Sequence, residues 1–210
     1  MVKKTAYRTF VLALLMLVPA IAIQGCQTLR EIAALRLVDF AIDNVTDARL
    51  AGVQIERLRS YEDLSTTDIF QLGRAVASQE LPFRFSLNIA ARNPDENQVQ
   101  ARLVKMDWTL FLEDRETISG ILDQNLVFPP GQTTTFPVII EVDLVDFFDR
   151  NLRDLVELAL SVSGQGGEPK NVSLRAIPTI DTPLGEMEYP RPITIVSRDL
   201  GTQQPVSSQP

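Results

Sequence analysis

The sequence predicts a mainly β protein, one antiparallel β-sandwich of about seven or eight strands with two accessory helices. Short stretches of alternating apolar and polar residues recur along the chain, turn chemistry separates them, and only two long stretches carry the helical period instead. With 210 residues there is room for one sizeable domain plus a targeting segment, and 45% hydrophobic content is that of a globular chain. No period of about 20 to 50 residues is visible, so a solenoid has no support.

Residues 27–35 suit a short helix, with Leu29 and Ile32 three apart, and a first strand over 37–45 carries Val38, Phe40 and Ile42 on one face. A second strand is expected over 50–58, with Val53 and Ile55 facing one way. Residues 65–78 change period. Ser65 can cap, Asp68 falls in the first turn, and Ile69, Leu72 and Val76 share a helical face, which predicts a short helix over a sheet. The clearest period of two follows in Leu81, Phe83, Phe85, Leu87 and Ile89, with Arg84, Ser86, Asn88 and Arg92 opposite. That is a half-buried antiparallel strand, and it ends in the turn chemistry of Asn93-Pro94-Asp95-Glu96-Asn97.

Met106, Trp108, Leu110 and Leu112 line the next strand, a polar tip at 114–116 turns the chain, and Ile118, Gly120 and Leu122 line its partner. Pro129-Pro130-Gly131 then leads into Phe136, Val138, Ile140 and Val142. Residues 143–163 form the second expected helix, with Leu144, Phe148, Leu152, Leu155 and Ala159 on one face, Asp143 as cap and Gly164 at its end. Its other face pairs Asp146 with Arg150, Asp149 with Arg153, Arg150 with Asp154 and Arg153 with Glu157, each four apart. Arginines interleaved with acids in this way make a solvated ion-pair face rather than a metal site. Residues 164–169 read as a connection, lacking the Gly-Lys-Ser/Thr ending of a phosphate loop. Residues 172–180 and 193–197 supply closing strands around Thr182-Pro183-Leu184-Gly185, and 199–210 have the composition of a disordered tail.

Composition excludes several functions. The chain has no histidine and one cysteine, Cys26, so Ser-His-Asp and Cys-His relays, histidine-ligated zinc and internal disulfides are all ruled out. The net charge is −7; setting aside residues 1–25, which hold Lys3, Lys4 and Arg8 but no acid, leaves 17 basic against 27 acidic side chains, or −10. A domain that acidic repels phosphate backbones, and nucleic acid is not an expected partner.

Lys3, Lys4 and Arg8 precede an uncharged run from Phe10 to Ile23, which is the layout of a secretory signal. The run is 14 residues, short of the roughly 20 that a spanning helix needs. Ile23-Gln24-Gly25-Cys26 resembles a bacterial lipobox, matching at three positions with Gln24 where a small residue is usual. The resemblance implies cleavage between Gly25 and Cys26, acylation of the Cys26 thiol and of the new amino terminus, and so a membrane as partner. Gln27, rather than Asp, at the following position resembles outer-membrane sorting, which places the domain on the periplasmic face.

Read in order, four features resemble the late embryogenesis abundant group 2 family, also called the water stress and hypersensitive response domain. They are the alternating strand ending in Asn93-Pro94; the strand 108–112, opened by Trp108, leading to Ile118-Ser119-Gly120; Pro130-Gly131 before Thr134-Thr135-Phe136-Pro137-Val138; and Thr182-Pro183-Leu184-Gly185. The resemblance implies a fibronectin- or immunoglobulin-like sandwich associated with desiccation and stress tolerance, with no catalytic residues to carry over. The sequence departs from the family in its inserted 65–78 helix and in having Asp95 where a second Asn commonly follows the proline. The expected organisation is therefore a signal peptide at 1–25, a lipidated tether at 26–35, the sandwich at 36–198 and the tail at 199–210. The expected function is a protective or structural role of an envelope lipoprotein, monomeric, non-catalytic and without cofactor. The alternative is a binding module, an accessory of an envelope complex or a carrier of an apolar ligand, for which Phe111 is of interest, either as an exposed aromatic or as a ring packed under a helix.

Overall fold

The computed structural model describes residues 34–166, 171–182 and 185–196. The signal, Gly25, Cys26, Pro183 and the tail lie outside the described residues. Two antiparallel sheets pack face to face. Sheet A has the order β2-β1-β3-β6, formed by β1 (Asp39–Leu50), β2 (Val53–Gln54), β3 (Pro82–Arg92) and β6 (Thr133–Asp143). Sheet B has the order β5-β4-β7, formed by β4 (Ala101–Leu112), β5 (Arg115–Phe128) and β7 (Val172–Thr182). The far edge of β7 carries both β8 (Gly185–Glu188) and β9 (Ile193–Val196). This is the β-sandwich expected, with nine strands among the described residues because β8 went unrecognised; all four of its residues are exposed, so it offers no alternation to read.

The core lies between the sheets. Phe83, Phe85, Leu87 and Ile89 of β3 and Phe136, Val138, Ile140 and Val142 of β6 face Met106, Trp108, Leu110 and Leu112 of β4 and Leu174 and Ala176 of β7, and all are buried. Phe128, fully buried at the end of β5, meets Phe40 edge-on at 5.8 Å between centroids and Phe136 at 6.2 Å, joining the two layers.

Two hairpins turn through paired left-handed residues. Ala51 (φ 44°) and Gly52 (φ 85°) connect Leu50 to Val53, and Glu113 (φ 50°) and Asp114 (φ 61°) connect Leu112 to Arg115. Two-residue loops of this hand match the twist of their strands. The second strand expected over 50–58 shrinks to two residues. After Ile55 donates its N–H to the Ala48 carbonyl (3.1 Å), the chain turns away from the sheet, yet Ile55 and Leu58 stay buried. The apolar cue there reported burial and not strand pairing.

Helix α1 (Thr66–Ala77) starts where predicted. The Ser65 hydroxyl accepts the Asp68 N–H (3.2 Å) and the Asp68 carboxylate accepts the Ser65 N–H (3.1 Å), a reciprocal capping box. Ser65→Ala should cost about 1 kcal/mol, seen as a lower urea midpoint at unchanged slope. Of the predicted face, Leu72 is fully buried and Val76 packs against the core, whereas Ile69 is 39% exposed.

The single helix expected over 143–163 is two. A short turn, α2 (Leu144–Phe147), is capped by Asp143, and α3 (Leu152–Val162) by Asn151, whose side chain accepts the Asp154 N–H (3.0 Å). Between them Phe148 is extended (φ −129°, ψ 112°) while its ring remains in the core. The break separates three of the four expected ion pairs. Arg153–Glu157, inside α3, forms at 3.1 Å; Arg150 turns instead to Glu113, and Arg153 also reaches Glu62. Gly164 (φ 68°) ends α3 as predicted, with the Gly164 and Gln165 N–H groups returning to the Ser161 and Leu160 carbonyls. α3 packs against β1, α1 and the 3-10 turn Tyr61–Asp63.

Candidate functional site

The residues that carry the family resemblance sit at structural joints. Asn93, where β3 ends, is fully buried. Its side-chain amide donates to the carbonyls of Val99 (3.1 Å) and Phe128 (2.8 Å), its oxygen accepts from the Asn97 amide (2.7 Å), and its backbone N–H donates to the Gln132 carbonyl (3.0 Å). Asn97 in turn donates to the Ala34 carbonyl (2.9 Å). One asparagine thus fastens the ends of β3 and β5, the crossing between sheets and, through Asn97, the start of the described chain. Pro94 begins the tight turn closed by the Asn97 N–H on its carbonyl (3.1 Å).

Trp108 is 7% exposed and pairs across the strands with Gly120. A Cβ at Gly120 would lie 2.3 Å from Trp108 Cζ2, so the glycine makes room for the indole. Gly185 (φ +108°) opens β8 and pairs with Thr182. These residues hold the fold together.

Two surface features offer binding space. The first is a depression of about 400 Å³ on the outer face of sheet B, over Trp108 and Gly120, rimmed by Asp107, Thr109, Ser119, Ile121 and Arg175. Its polar groups already satisfy one another: Thr109 and Ser119 share a hydrogen bond of 2.9 Å, Asp107 meets Lys105 at 3.7 Å, and the Arg175 guanidinium covers the Phe111 ring at 4.8 Å. Phe111 therefore lies on the sheet face under an arginine rather than under a helix.

The second is a groove of about 220 Å³ between the start of β1 and the segment joining β8 to β9 beside Pro178 of β7. It arises from a break in the return strand. β8 and β9 run along β7 in one direction, but four residues, Tyr189 to Pro192, stand opposite only two, Ile177 and Pro178. The excess bulges outward, anchored by the Tyr189 N–H on the Pro178 carbonyl (2.8 Å). Leu35, Val38, Phe40 and Ile193 make the apolar walls, and Arg36 and Arg191 stand at the rim. Both arginines are exposed, and among the described residues neither makes an ion pair. Burial raises the Tyr189 phenol above its ordinary value, with Arg36 pulling it the other way, so at neutral pH it is an uncharged hydroxyl. Sequence reasoning missed this site because its residues come from opposite ends of the chain. Of the two features, the groove is the one where two exposed arginines without an ion pair among the described residues stand together beside apolar walls, and it is the better candidate.

No protein-family model matches this chain, and no curated protein matches it. Two solved structures are similar over most of its length. A protein from Archaeoglobus fulgidus shares 11% identity over 77% of this chain and 95% of that one, at a TM-score of 0.30. A protein described as late embryogenesis abundant (LEA), solved in solution, shares 11% identity over 90% of this chain and 86% of that one, at a TM-score of 0.35.

Proposed function

We propose that this chain is a lipoprotein of the bacterial cell envelope, held by acyl chains on Cys26, whose β-sandwich plays a non-catalytic protective or structural role of the late embryogenesis abundant group 2 type. The observation that carries the anchor is the basic start, the uncharged run and Ile23-Gln24-Gly25-Cys26 in series, with Cys26 eight residues before the first described residue, Ala34. Among the described residues no helix is long and apolar enough to cross a membrane. The protective role rests on the motif order from Asn93-Pro94 to Gly185, and on an acidic surface that resists self-association as water is withdrawn.

Cys26→Ala should abolish fatty-acid labelling, leave the precursor uncut and release the chain from its mature membrane state. Label kept by the variant, or a wild-type protein washed from membranes by salt alone, would remove the anchor. For the protective role, the purified protein should reduce freeze-induced aggregation of an unrelated enzyme beyond what an inert acidic protein of equal size achieves.

A further inference from the structure

We infer that the groove between the start of β1 and the Tyr189–Pro192 bulge binds the phosphate of an anionic phospholipid, with Arg36 and Arg191 on the headgroup and the apolar walls against the first acyl carbons. Two guanidiniums at the rim of an apolar trough match a phosphodiester attached to hydrocarbon. Arginine forks recognise phosphate through paired hydrogen bonds, and the arginine stems add apolar surface. Leu37, next to Arg36 in the chain, is 55% exposed, an apolar side chain on the same segment as the cation. The net charge of the chain conceals this site, because an acidic total says nothing about two arginines from distant parts of the sequence meeting at one edge.

Position identifies the occupant. This inference rests on the proposed anchor at Cys26, from which Arg36 is ten residues along, so the groove beside Leu35 and Arg36 lies within about 36 Å of the lipid even if the tether is fully extended. Asn97 and Asn93 fix that end of the chain to the sandwich, which keeps the groove on the tethered side. Anionic headgroups held near the anchor by the membrane reach it at high effective concentration.

The test uses the full chain in non-ionic micelles doped with phosphatidylglycerol or phosphatidylcholine, with bound lipid counted by native mass spectrometry. One phosphatidylglycerol per chain is expected, with phosphatidylcholine bound more weakly, and Arg36→Ala/Arg191→Ala should weaken the phosphatidylglycerol adduct by about tenfold or more without moving the unfolding midpoint. A double variant that binds as the wild type does overturns the proposal. So does displacement of the lipid by inorganic phosphate or glycerol 3-phosphate at equal concentration, which would make the groove a site for free phosphate. Phosphatidylglycerol bound in the arginine-dependent way by a chain that takes no fatty-acid label would uphold the groove and remove the anchor, so the two failures are distinguishable.

Discussion

Trp108→Ala should lower the stability of the sandwich by about 3 to 5 kcal/mol, because it empties a space at the centre of β4 that neighbouring side chains cannot fill. The indole is nearly buried, and the residue paired with it, Gly120, has no side chain to move inward. Gly120 itself lacks the positive φ that would demand glycine, so what it supplies is room. Gly120→Val should therefore destabilise the wild type by about 1 to 3 kcal/mol through crowding against the ring. In the Trp108→Ala background the same valine should cost far less, or restore part of the loss. Denaturant unfolding of the four proteins measures the coupling. Strictly additive losses would show that the two residues do not share one space. The Trp108 variant also tests the protective role, since a folded domain that shields its neighbours should lose that effect when it unfolds.

Asn93→Ala should cost about 3 kcal/mol or more, since it strands the Val99 and Phe128 carbonyls and the Asn97 amide together in a buried place. Asn93→Asp keeps the shape but puts a carboxylate oxygen, in place of the amide nitrogen, against the Val99 and Phe128 carbonyls. It should be worse at neutral pH than the alanine variant. The buried carboxyl would titrate above its unfolded value of about 3.9, so its penalty should be largest above the folded value and shrink as the pH falls towards 3.9. Chemical denaturation across pH checks both, and limited proteolysis should show the segment near Ala34 cut faster, because Asn97 loses the partner that positions it. An aspartate variant as stable as the wild type at pH 7 would mean that the site is wetter than its burial indicates.

The sequence made legible what local patterns encode. Alternation located β3 and β6 because each has one buried face, and Ser65 with Asp68 marked the start of α1 because a capping box is written in four consecutive residues. The break between α2 and α3 was also written there, in Asn151 and Asp154 three apart, but the apolar period running on through Phe148 concealed it: an extended residue can still bury its ring. Long-range partners left no such mark. Asn93 was recognisable as turn chemistry, whereas its bond to Phe128, 35 positions away, exists only once the two sheets meet. Gly120 could be placed on a strand, but its service to Trp108 depends on register. Arg36, Tyr189 and Arg191 became neighbours only through the bulge opposite Pro178.

That bulge also governs how molecules of this protein meet one another. A long, flat outer strand is a template on which another chain can add its own backbone, and tethering a protein to a surface raises the frequency of such encounters. Here the outer margin of sheet B beyond β7 is cut into two four-residue pieces, β8 and β9, and two prolines, which have no N–H to donate, stand in the gap. Neither piece is long enough to hold a foreign strand in register. Crowded copies meeting along this margin would find no long strand on which to knit a continuous sheet.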